Sequence, residues 1–77
     1  MMVKSEITLM DFETCMPIKI KVKDIQGVKE GTSNLDGRAY PYTLVIFGSK
    51  QNEKTVKVTE SAKEIGRKII EAIRIPQ

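Results

Sequence analysis

The chain has no histidine, no tryptophan and one cysteine. Without histidine, the commonest general base and the commonest zinc ligand are both missing. One cysteine forbids an intrachain disulfide and leaves no Cys-rich metal framework. Cys15 has no recognisable base partner, so it reads as a small semi-buried apolar residue rather than a nucleophile. A lone thiol suits a reducing compartment. No apolar run approaches the roughly 18 residues of a membrane span. The start, Met1-Met2-Val3-Lys4-Ser5-Glu6, has no secretory apolar stretch. These absences predict a cytoplasmic protein with no membrane span. There is no glycine-rich phosphate loop, because Gly31 and Gly37 do not have nucleotide-motif spacing. No internal repeat or low-complexity segment is visible.

What remains is an ordinary globular balance of 40% apolar and 30% charged residues. Seventy-seven residues make a single domain, 1–77. A chain this short buries only about 60% of its unfolded surface, and its core supplies only ~3–5 kcal/mol. The net charge of +3 is uneven. Residues 1–48 carry six basic and six acidic groups; residues 49–77 carry seven and four. That excess is smaller than a dedicated nucleic-acid binder shows.

Period-two alternation predicts the strands. Glu6 to Phe12 alternates through Ile7 and Leu9, and Glu13 to Pro17 is a connection. From Pro17 to Lys23, Ile18, Ile20 and Val22 alternate with Lys19, Lys21 and Lys23, the pattern of a half-buried strand. Ile25 to Glu30 adds a short piece with Gly27 at a bulge. Gly31 to Ala39 is rich in turn formers and reads as a loop, with Asp36-Gly37 suited to a tight turn. Tyr40 to Gly48 is apolar on both faces and is placed centrally in the sheet. Ser49 to Asn52 turns the chain, and Lys54 to Val58 returns.

The last element is a helix over about Glu60 to Ile73. Ser61 and Glu64 have capping-box spacing, and Thr59 is the alternative cap. Ala62, Ile65, Gly66, Ile69, Ile70, Ala72 and Ile73 fall in one apolar arc. Ile65, Ile69 and Ile73 are expected to cover the sheet, and Gly66 to mark close helix–sheet approach. Glu64–Lys68 and Arg67–Glu71 are spaced as i,i+4 ion pairs, with Arg74 on the same polar side and Pro76 as a stop. The fold class is therefore α+β, a small antiparallel β-sheet of four to five strands with one C-terminal helix packed on it.

Chemistry is sparse. Asp11 and Glu13 share a strand face, but paired carboxylates at a strand end are usually solvated charges. Asp36-Gly37-Arg38 is a turn with flanking charges. No catalytic, cofactor or metal residue is assigned. The candidate binding surface is cationic: Lys19, Lys21 and Lys23, widened by Lys54 and Lys57 if their strand lies alongside. The plainer reading is a solvated face or a guarded sheet edge. Nucleic-acid sheets add stacking aromatics, and at least two of Phe12, Tyr40, Tyr42 and Phe47 are expected in the core.

The C-terminal half carries a resemblance. Thr43-Leu44-Val45-Ile46-Phe47, a polar turn, Val56-Lys57-Val58-Thr59-Glu60-Ser61 and the helix through Ile65 and Lys68-Ile69-Ile70 resemble the small flagellar and swarming-motility family of the FlbD type. Ile25 to Glu30 occupies the place of that family's Ile-x-x-Ile-Glu-like stretch. The Thr14–Pro17 connection and the Gly31–Pro41 segment exceed the family's compact form. A related small phage or mobile-element protein fits the same pattern. LytTR-type DNA-binding domains are a more distant likeness, without their DNA-contacting pattern. The resemblance supports the fold more than a flagellar role, and no catalytic residues are carried over from it. The expectation is a non-catalytic protein-interaction module, homo-oligomeric, with a small nucleic-acid-binding protein as the alternative.

Overall fold

Ile7 and Leu9 point inward from β1 (Glu6–Met10) and are buried, while Glu6, Thr8 and Met10 face outward. β1 pairs antiparallel with β2 (Pro17–Lys21), setting Ile7 opposite Ile20 and Leu9 opposite Ile18. The computed structural model that shows this describes residues 5–73. The sequence expectations for Met1–Lys4, Arg74 and Pro76 lie outside those residues. β2 stops at Lys21, because a 3-10 turn (Val22–Asp24) redirects the chain and the Val22 N–H donates to the Ser5 carbonyl at 2.9 Å.

β3 (Ile25–Leu35) and β4 (Arg38–Gly48) form one long hairpin, so the segment expected to be a loop, Gly31 to Ala39, is mostly extended and paired. Asp36 and Gly37 alone make the turn, with φ of 51° and 76°. Left-handed φ at both central residues matches the twist of the flanking strands and carries the ladder outward from it. Gly27 sits at the expected bulge, where the register shifts after Ile25. At Gly31 a Cβ would stand 2.8 Å from the Tyr42 ring, which lies across the glycine.

β5 (Glu53–Val58) pairs with Thr43–Gly48 only, which makes β4 central. The β3–β4 hairpin therefore continues past β5 as a two-stranded arm. The molecule measures 50 × 29 × 19 Å, with a Cα radius of gyration of 13.5 Å. A compact domain of this length has about 11 Å.

The strands divide into two sheets, β1-β2 and β3-β4-β5, rather than the single sheet expected. The 3-10 turn separates β2 from β3. The end of β1 crosses instead to β5: Phe12 N–H donates to the Lys57 carbonyl at 2.8 Å, and Thr59 N–H to the Met10 carbonyl at 3.0 Å. The α+β class holds.

α1 (Ala62–Ile73) closes the core. Ile7, Leu9, Ile20, Val45, Val58 and Ile65 are buried, with Ile69, Ala72 and Phe47 packed on them. Ser61 is the cap, its Oγ accepting from the Glu64 N–H at 3.1 Å. Three expectations for the helix fail. Ile73 is 60% exposed, because Ala72 faces inward in its place. Gly66 has nothing within 4 Å of a built Cβ, so it does not mark close approach. Neither i,i+4 ion pair forms; Lys68 turns to Glu60 instead. Only Phe47 of the four aromatics packs on the core.

Candidate interaction surfaces

The structure separates the five lysines. Lys19 and Lys21 stand exposed on β2, opposite Thr8 and Glu6 of β1. Lys23 is exposed in the 3-10 turn, off the strand alternation. Lys54 and Lys57 belong to β5, which is hydrogen-bonded to β4 and not to β2. Three positions apart, those two also leave opposite faces of β5. Lys57 Nζ lies 4.9 Å from the Tyr42 ring centroid, and Phe12 tilts against the same ring at 5.6 Å. The condition for widening the patch is thus not met, and Glu6 lies within the remaining group.

Of the two carboxylates singled out in sequence, that of Asp11 holds a turn. Asp11 Oδ1 accepts the N–H groups of Glu13 at 2.8 Å and Thr14 at 3.1 Å. These hydrogen bonds, the Thr14 backbone first, hold the Asp11 carboxyl below its ordinary value of 3.8. Cys15 is exposed rather than semi-buried, and takes a left-handed φ of 60° in this connection.

Sequence reasoning missed Glu60 and Glu30. Glu60 lies between β5 and α1 and is 12% exposed. Its carboxylate accepts from the Met10 N–H at 3.1 and 3.2 Å and pairs with Lys68 Nζ at 3.5 Å. Lys68 also donates to the Thr8 carbonyl at 2.8 Å. The unpaired edge of β1 is therefore tied to the helix by side chains. Buried Thr43 donates to the Glu60 carbonyl at 2.7 Å. Glu30 Oε2, from β3, accepts from the Ala62 N–H at 3.1 Å and helps cap the helix. A cleft of about 330 Å³ lies where the arm leaves the body, lined by Glu30, Tyr42, Thr43 and Ser61 among others. Three of those four polar groups already serve the fold.

The β3–β4 hairpin extends past β5 with most of its outer residues exposed. Among the described residues β3 pairs with β4 alone, so its other edge presents backbone donors and acceptors that no described strand pairs. The edge of β5 is partly covered by Asp11 and Phe12. Leu35 is 54% exposed and Tyr40 39%. Against family models, curated proteins and solved structures, the chain finds no match. No helix among the described residues is long and apolar enough to cross a membrane. The sequence signal for the arm was Asp36-Gly37 itself; the polar residues beside it hid the strands.

Proposed function

We propose that the chain is a non-catalytic interaction module that engages another protein through the β3–β4 arm and its open edge. The arm carries this reading. A two-stranded hairpin beyond the body is marginal in water by itself, and its edge is a ready template for a further strand. Residues 28–42 contain two basic and two acidic groups, so nothing there favours phosphates. Leu35 and Tyr40 offer apolar anchors. The FlbD-type resemblance supports a motility-related setting, or an accessory role in a phage or mobile element.

Nucleic-acid binding is the second reading, supported by the exposure of Lys19, Lys21 and Lys23. A photo-reactive phenylalanine analogue at Leu35 or Tyr40 separates the two in cells. The expected result is a covalent protein adduct that survives Lys19→Gln, Lys21→Gln and Lys23→Gln together. No adduct, with salt-sensitive nucleic-acid binding abolished by the triple change, overturns the first reading.

A further inference from the structure

β4 is apolar on both faces and is covered on one. Thr43 and Val45 are buried toward the body, and Phe47 packs on the core from the same side. The alternate residues Tyr42, Leu44 and Ile46 turn the other way, and Tyr40 and Arg38 continue that side along the arm. Leu44 and Ile46 take no part in the core cluster and stay half-buried. The helix and β1–β2 send Ile65, Leu9 and Ile20 to the Val45 side, so no described strand or helix covers the outer one. A sheet with two apolar faces is stable when both are covered. The apolar line from Ile46 to Tyr40 runs about 20 Å, at ~3.3 Å per residue. Lys29, Leu44 and Lys57 form one row across the three strands, which sets a cation on each side of that line. Leu35 and Arg38 form the last row, at the tip.

Charge and hydrogen bonding identify the occupant. The two acids of the arm leave this face: Glu30 lies opposite Thr43 on the body side and serves the Ala62 N–H, and Asp36 lies in the turn. Glu53 stands at the far end, opposite Gly48, and Glu13 lines a hollow with Leu44 and Lys57 at the β5 side. Neither is ion-paired with the three cations; among the described residues the one ion pair is Lys68–Glu60. Along Thr43–Gly48, β4 is paired on both sides, so this face offers side chains alone. A bound segment must therefore satisfy its own backbone, which a helix does. We propose that the outer face of β3–β4–β5 seats an acidic amphipathic helix of a partner protein, its apolar side along the β4 line and its carboxylates toward Lys29, Lys57 and Arg38. This names the partner chemistry for the interaction-module reading and rests on that reading; Leu35 and Tyr40, the anchors of the arm, stand on the same face. A second copy would set the same cations against themselves. Stacked bases would need a free ring face, and the Tyr42 ring already has Lys57 Nζ at 4.9 Å and Phe12 at 5.6 Å.

The test uses the whole chain and a fluorescein-labelled peptide of about 14 residues, long enough as a helix to span the line. It is glutamate-rich with leucine at i, i+3, i+4 and i+7 spacing, and is followed by anisotropy and by side-chain methyl shifts. Binding is expected to shift the methyl groups of Leu35, Leu44 and Ile46, to weaken several-fold between 50 and 500 mM salt, and to weaken at least tenfold when a central proline breaks the peptide helix. Lys29→Glu and Lys57→Glu together are expected to weaken it at least tenfold and to take a lysine-for-glutamate peptide instead, which a misfolded chain could not do. No binding at millimolar peptide, equal binding of the lysine peptide to the unaltered chain, shifts confined to Ile70 and Ile73, displacement of the peptide by a thymidine oligonucleotide, or self-association that shifts the same methyl groups would each overturn the proposal. A protein adduct from Leu35 that persists in the double charge reversal would keep the interaction role and discard this face.

Discussion

The body and the arm are built from the same kind of strand but held by different forces. In the body, six buried apolar side chains from both sheets and the helix converge, and Glu60 and Lys68 tie the loose edge of β1 to α1. In the arm, Gly31–Leu35 pairs with Arg38–Tyr42 through backbone and turn geometry, with almost nothing buried. Burial sets the stability of the first region, and the conformational preference of two residues sets that of the second. A region held by its ladder and turn, with little buried, is open to a partner at small cost.

The largest effect is expected from Leu9→Ala, which removes a side chain with no exposed surface. It should cost about 2–5 kcal/mol, comparable to the whole stability of so small a core. A urea midpoint measures it; a loss below 1 kcal/mol would show that the body is not held by this core. Gly37→Val addresses the arm alone. A β-branched residue at φ of 76° costs about 1–2 kcal/mol. Amide protection over residues 31–42 should fall while that of β1 and α1 stays, and a uniform loss would join the two regions into one unit.

Gly66→Ala is a smaller change in the opposite direction. Open space around Gly66 means that helix propensity decides, so a gain of up to about 1 kcal/mol is expected in the body. A lower melting temperature would show a contact there. The least effect concerns pH. The Asp11 carboxyl is lowered, so its contribution is complete above the unfolded value near 3.8 and is lost as pH falls through the folded value. Asp11→Asn should remove that part of the acid dependence and lower stability slightly near pH 7, with the two proteins converging at low pH, read from melting temperatures across pH 2–7.

The body was more legible than the arm. Ile7, Leu9, Ile18 and Ile20 announce their strands because one face is buried, and burial writes alternation into sequence. Thr32, Ser33 and Asn34 face water or half-face it, so nothing selected an alternating pattern and turn propensity dominated the reading. Their extended state comes from pairing with Ala39, Tyr40 and Pro41, which the Asp36-Gly37 turn aligns. The lysine face was legible as Lys19 and Lys21 on one strand but not as a patch, because the 3-10 turn took Lys23 off that strand and strand order, invisible in periodicity, put Lys54 and Lys57 on another sheet. Gly66 was misread because a glycine in an apolar arc looks the same whether it is pressed against a neighbour or left open.

The tie between β1 and α1 also has a consequence in time. Ser5 Oγ meets the Ala72 carbonyl across 67 positions, and Thr8 meets Lys68 across 60. The arm closes over two residues. During synthesis, at roughly 5–20 residues per second, the arm can pair long before the helix exists, while Ile7, Leu9 and Ile20 wait uncovered for the last turn of the chain. Nascent chains halted at Glu60 should therefore be cleaved readily within β1, and chains carried through Ile73 should resist. β1 is made before the arm yet is sheltered only once α1 has been made, so its apolar face stays uncovered through that interval.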